Sequence, residues 1–140
     1  MPGLGAMAVT RDEVMPIRAA ADIVQVRQTV RSWAAQLGFG LVDQTKLVTA
    51  ASELARNTLD YGLGGTVRLL AVEENGRRGL RLVFEDHGPG IPDVQRALTD
   101  GFTTGNGLGL GLGGSRRLMN EFDIVSKVGE GTRITVARWK

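Results

Sequence analysis

No cysteine occurs among the 140 residues. That excludes disulfide stapling, thiol nucleophiles and cysteine-ligated metals, and it leaves the redox compartment open. Histidine is almost missing as well, since His87 stands alone without a partner histidine or cysteine to share a metal. No apolar run approaches the ~20 residues of a membrane span and no signal-peptide core opens the chain, so a soluble cytoplasmic protein with no membrane partner is expected. An excess of one charge is also lacking: 17 basic and 15 acidic residues are interspersed, for a net charge of +2. Without a basic stripe, nucleic acid is not an expected partner.

Glycine, by contrast, is abundant. There are 20 in all, about twice ordinary usage, and the excess is concentrated between Gly101 and Gly114, which reads as a mobile loop rather than a low-complexity chain. The length suits one domain able to bury about two thirds of its unfolded surface. Residues 1–10 read as a flexible tail and residues 11–140 as a single domain with no repeat or linker. A short edge strand is expected from Glu13 to Ile17, where Pro16 argues against a central position. Ile23, Val26, Val30, Trp33 and Leu37 recur at helical spacing up to Gly38. Asp43 reads as the N-cap of a second helix with a stripe of Leu47, Val48, Ala51, Leu54, Ala55 and Thr58, ended by Tyr61-Gly62. Thr66 to Val72 and Leu80 to Glu85 form a hairpin with a longer loop around Asn75-Gly76, and Phe122 to Lys127 pairs with Thr132 to Arg138. A third helix is expected from Ser115 to Asn120. These elements suggest a two-layer α/β sandwich, a mixed and mostly antiparallel sheet with helices on one face.

Three strings carry chemistry. In Glu53-Leu54-Ala55-Arg56-Asn57, a carboxylate and an amide sit at i and i+4, about 40° apart on a helix and on the flank of its apolar stripe. Hard oxygen donors of this kind suit Mg²⁺, which takes few protein groups and completes its shell with water and phosphate. In Asp86-His87-Gly88-Pro89-Gly90, an acceptor follows an apolar run and the glycines permit a close approach to a flat ligand. Gly105-Asn106-Gly107-Leu108-Gly109-Leu110-Gly111 then leads into the third helix, where free backbone N–H groups make an anion cradle. Taken singly, the first string could be a solvated helix face and the second a strand-ending turn.

In the order ExxxN, DxGxG, GxGxG and Gly131-Thr132, the pattern resembles the GHKL ATPase superfamily with its Bergerat nucleotide fold, from about Glu13 onward. The resemblance implies ATP and Mg²⁺ as cofactors, Asn57 as the Mg²⁺ ligand and Glu53 as the catalytic base. It implies that Asp86 accepts from the adenine amine, that Gly88 and Gly90 allow the approach, and that Thr132 helps through its hydroxyl or a water. Gly105, Gly107, Leu108, Gly109, Leu110 and Gly111 are then the phosphate-binding loop. Phe102-Thr103-Thr104 resembles the family's ATP lid; Thr103 and Thr104 either contact phosphate or are simply solvated. Arg116 and Arg117, placed on the first turns of the third helix, either reach a phosphate or partner or line a solvated face. His87 occupies the variable position of DxGxG and reads as a solvated side chain.

Other nucleotide signatures fail on context. The glycine cluster lacks the preceding strand of a Rossmann fingerprint and the closing GK[ST] of a P-loop, and the HRD and DFG strings of eukaryotic-type kinases are absent. No transducer domain is expected after the domain and no phosphoacceptor helix before it. Ser52 to Asn57, Glu85 to Asp93, Asp100 to Thr104, Arg117-Leu118-Met119, Glu121-Phe122 and Trp139-Lys140 resemble the stressosome switch kinases (RsbT-type). That resemblance implies a serine/threonine kinase acting on STAS-domain proteins, sequestered by them, and activating a PP2C-type phosphatase on release. The alternatives are an anti-sigma kinase holding a sigma factor and a non-catalytic adaptor ordered by nucleotide.

Overall fold

The structure, a computed structural model, describes residues 7–99 and 111–140. Chain order is β1 (Met7–Ile17), α1 (Ala20–Gln36), α2 (Leu41–Asp60), β2 (Gly65–Glu74), β3 (Arg77–Asp86), α3 (Val94–Ala97), α4 (Gly111–Leu118), β4 (Glu121–Lys127) and β5 (Gly131–Trp139). The strands form one sheet in the order β1-β2-β3-β5-β4. Every pairing is antiparallel, so the parallel component that a mixed sheet would allow is absent among the described residues.

Alternation decides which face is covered. Val67, Leu69 and Ala71 of β2, Leu80, Leu82 and Phe84 of β3, and Ile134 and Val136 of β5 point to one side and share a core with α1 and α2. Ile23, Val26, Val30 and Trp33 come from α1, and Leu47, Ala51, Leu54 and Ala55 from α2. The apolar stripes expected of both helices are therefore the faces laid on the sheet. Opposite that face the sheet carries ion pairs such as Arg68–Asp12 and Arg81–Glu121.

Several boundaries differ from the sequence reading, each for a physical reason. Residues 7–10 are not a tail: β1 begins at Met7 and pairs with the far end of β2, Met7 opposite Glu74. Backbone pairing supplies there what composition does not. Asp43 is not the N-cap of α2. Gly40 takes that position, and Asp43, inside the first turn, pairs with Arg138 at 2.7 Å, a charge placed well for the helix dipole. The β2–β3 loop is not long, since Glu74 opposes Arg77. Its two residues, Asn75 at φ 53° and Gly76 at φ 80°, make the left-handed turn that matches strand twist. Finally, α4 spans Gly111–Leu118 instead of Ser115 to Asn120. Leu112, Gly113, Gly114 and Ser115 are all buried, so small residues let this helix lie close to its neighbours despite their low helix propensity. Arg116 and Arg117 consequently fall in its last turn and are exposed, away from the helix start where an anion would sit.

Candidate active site

A cavity of about 470 Å³ opens between α2, the end of β3, α3, the start of α4 and β5. Its walls are largely apolar, from Phe84, Ile91, Ala97, Leu112 and Ile134, with Asn57, Asp86, Asp93, Arg96 and Thr132 among the polar points. A concave site of this size with a few fixed polar groups suits a small molecule.

The end of α2 builds one side. Its backbone closes on the Asn57 carbonyl, which accepts from both Tyr61 N–H and Gly62 N–H at 3.0 Å. Asn57 and Tyr61, one turn apart, then face the cavity. One turn before Asn57, Glu53 has its Oε2 shut off from solvent with no hydrogen-bond partner among the described residues. Burial pushes the Glu53 carboxyl above its ordinary value, opposed by the Arg56 charge and the Gly111 backbone N–H. An orphaned carboxylate oxygen is costly in a fold, and it is the kind of group a reacting proton or a hydrated cation satisfies.

The other side is built by strand register. Asp86, the last residue of β3, lies opposite Thr132 of β5, and both are buried. Asp86 Oδ1 accepts from Gly88 N–H at 2.9 Å, which fixes the orientation of this side chain where it lines the cavity. Gly62 packs directly on that carboxylate, so any Cβ there would overlap it. Gly88 and Gly90 do not line the cavity. A Cβ on Gly88 would meet the Gly62 carbonyl oxygen at 2.5 Å, and Gly90, at φ +77°, presses against the Lys127 carbonyl. In this structure their close approach is to the chain itself.

Of the residues expected at the site, Asn57, Asp86, Gly111 and Thr132 meet at the cavity, and Glu53 stands beside them through its tie to Gly111. Thr103, Thr104, Gly105, Gly107, Leu108, Gly109 and Leu110 lie outside the described residues. His87 does not line the cavity. The sequence reading missed α3, which Asp93 caps by accepting from Arg96 N–H at 3.0 Å. Asp93 followed by a short apolar and basic run was a usable start signal. Through α3, Arg96 and Ala97 also reach the wall.

No group of three or more His, Asp or Glu residues able to cage a metal exists among the described residues. The Asn57 amide at the cavity and the orphaned Glu53 oxygen one turn away instead fit Mg²⁺ that arrives with phosphate oxygens. No helix among the described residues is long and apolar enough to cross a membrane.

Residues 42–140 match the family described as histidine kinase-, DNA gyrase B-, and HSP90-like ATPase. The chain is 49% identical over 118 residues to the serine/threonine-protein kinase RsbT of Bacillus subtilis (strain 168), covering 84% of this chain and 89% of that one. It is 33% identical over 119 residues to the anti-sigma F factor of Anoxybacillus flavithermus (strain DSM 21510 / WK1), covering 80% of each. In fold it is similar to the crystal structure of the RsbU and RsbW domains of Rv1364c from Mycobacterium tuberculosis, with a TM-score of 0.63 and 18% identity, over 94% of this chain and 33% of that one. With an ATPase signature across most of its length and 49% identity to such a kinase over 118 aligned residues, the chain belongs to the GHKL ATPase family and, within it, to the RsbT-type serine/threonine kinases.

Proposed function

We propose that the protein transfers the γ-phosphoryl group of ATP to a serine or threonine of a STAS-domain protein. It is held by such proteins until they are phosphorylated, and once free it activates a PP2C-type phosphatase by binding it. The observation that carries the catalytic half is the solvent-shielded Oε2 of Glu53, without a hydrogen-bond partner among the described residues, one helical turn from an amide at the cavity. A carboxylate held in this way, with burial raising its proton affinity, suits a general base. The partner half rests on likeness to RsbT. The proposal places the protein in the cytoplasm, with neither nucleic acid nor membrane as partner.

In the proposed reaction Asp86 accepts from the adenine amine, the apolar wall of Phe84, Ile91 and Ile134 encloses the base, and Thr132 contributes a hydroxyl. Glu53 takes the proton of the substrate hydroxyl as its oxygen bonds to the γ-phosphorus. The bond from that phosphorus to the β–γ bridging oxygen breaks, and ADP leaves with the electron pair. Asn57 would hold Mg²⁺, which when bound neutralises charge on the phosphate oxygens. Most of the acceleration then comes from positioning and electrostatics, with no covalent enzyme intermediate.

The likeness to anti-sigma F factors makes an anti-sigma kinase the second reading. A pull-down with Glu53→Gln chain freed of STAS protein separates the two. Recovery of the PP2C-type phosphatase, lost again when STAS protein is added, is the expected result. Direct recovery of a sigma factor, with no phosphatase, would establish the second reading.

A further inference from the structure

Three side chains form one row across the sheet on its helix-covered side. Asp86 of β3 opposes Thr132 of β5, and Thr132 in turn opposes Ser126 of β4. Asp86 and Thr132 line the cavity, whereas Ser126 sits behind the wall. Its hydroxyl nevertheless touches two cavity-lining residues. It accepts from Ile91 N–H at 2.7 Å and lies 2.8 Å from Thr132 Oγ1. The Gly131 carbonyl is a more distant acceptor, at 3.3 Å.

A hydroxyl has one proton and two lone pairs. Ile91 N–H fills one lone pair of Ser126, and the nearer acceptor for its proton is Thr132 Oγ1. When Ser126 donates there, the proton of Thr132 is turned away from Ser126 and toward the Asp86 side of the row. The cavity then offers an acceptor, Asp86, beside a donor, Thr132. That order complements an adenine, whose exocyclic amine donates and whose neighbouring ring nitrogen accepts. It is reversed for guanine, which presents a carbonyl and a ring N–H. We infer that Ser126 is a positioning residue that sets the direction of the Thr132 hydroxyl and so makes the site read a ring nitrogen next to the adenine amine. This rests on the adenine-nucleotide reading proposed above and extends it to a residue outside the cavity.

The test is calorimetric ADP binding by wild type, Ser126→Ala and Ser126→Thr, repeated with 1-deaza-ADP and 7-deaza-ADP, which each lack one of the two nitrogens that flank the amine. Ser126→Ala should weaken ADP about fivefold to tenfold, the size of one net hydrogen bond. Ser126→Thr, which keeps the hydroxyl, should stay within about twofold of wild type. With the analogue lacking the nitrogen that Thr132 reads, wild type and Ser126→Ala should bind alike. A role confined to holding the Ile91 loop would lower all three ligands equally, and that outcome would overturn the inference. So would ADP binding unchanged in Ser126→Ala. Wild type that bound no ADP would overturn the adenine reading together with the inference.

Discussion

In Glu53→Gln the carboxylate beside the cavity is exchanged for an amide of nearly the same shape and no charge. Its Oε2 has no partner and no solvent contact among the described residues, and burial raises the carboxyl above its usual 4.5. A carboxyl whose folded-state value is raised contributes stability that is fully present below the unfolded value and is lost as pH rises through the folded one. Wild type should therefore lose stability in a window that starts near pH 4.5, and the glutamine variant should lack that loss. Arg56 and Gly111 N–H offset part of the cost and the side chain is only half-buried, so about 1 kcal/mol at pH 7, the low end for an unsatisfied buried group, is the expected gain. That corresponds to about 3 °C in Tm for a domain of this length.

Chemistry should move the other way. With no base to take the hydroxyl proton, transfer of labelled phosphate from ATP to a STAS-domain protein should fall at least about a hundredfold, while ATP binding persists because Glu53 does not line the cavity. Thermal melts at pH 4 and pH 7, calorimetric titration with ATP and the transfer assay together decide the matter. The variant should match wild type in Tm at pH 4 and exceed it at pH 7. A glutamine variant that melted lower at pH 7, or that kept near-normal transfer, would refute the assignment of Glu53 as a strained base.

Asp86→Asn should weaken ADP binding by at least about tenfold in calorimetry, because a charged acceptor is replaced by a group that can present its own donors; unchanged affinity would remove Asp86 from the site. Two loop glycines of similar backbone angle make a paired stability test. Gly129→Ala, at φ +83° with open space around it, should cost about 1 to 2 kcal/mol in urea unfolding. Gly90→Ala, at φ +77° and pressed on the Lys127 backbone, should cost clearly more and reduce ADP binding as well. Equal costs would contradict the packing of this loop against β4.

Local pattern made the long elements legible, while tertiary partners set their ends. Helices α1 and α2 run for 17 and 20 residues, long enough for their apolar period to be unambiguous, and both stripes face the sheet. The start of α2 escaped because the fate of Asp43 depends on Arg138, 95 residues away. The first residues of β1 escaped because an edge strand can be held by backbone pairing alone, with Ala8 and Val9 opposite Glu73 and Val72. For α4 the glycines argued against helix, and only the buried contacts of Leu112 to Ser115 explain their presence there. Of the motif residues, Asn57, Asp86, Gly111 and Thr132 converge on one cavity, whereas Gly88 and Gly90 pack against the chain instead. Ser126 left no trace, as a lone serine on an alternating strand carries no signal until its register neighbours are known.

The two ends of the site are mechanically joined, and this bears on what the cavity can hold. The Asn57 carbonyl anchors Gly62 N–H at 3.0 Å, and Gly62 in turn lies against the Asp86 carboxylate and under Gly88. A side chain on Gly62 would have to displace either the carboxylate or the helix end, so Asn57 and Asp86 cannot drift apart independently. Both also belong to the packed layer, Asn57 on a helix whose Leu54, Ala55 and Thr58 are buried and Asp86 at the end of a strand whose Leu82 and Phe84 are in the core. A ligand anchored at both points is therefore selected for length as well as for chemistry. Pre-set spacing of this kind lowers the entropic cost of orienting a bound ligand before transfer, and here it rests on the contact of Gly62 with Asp86.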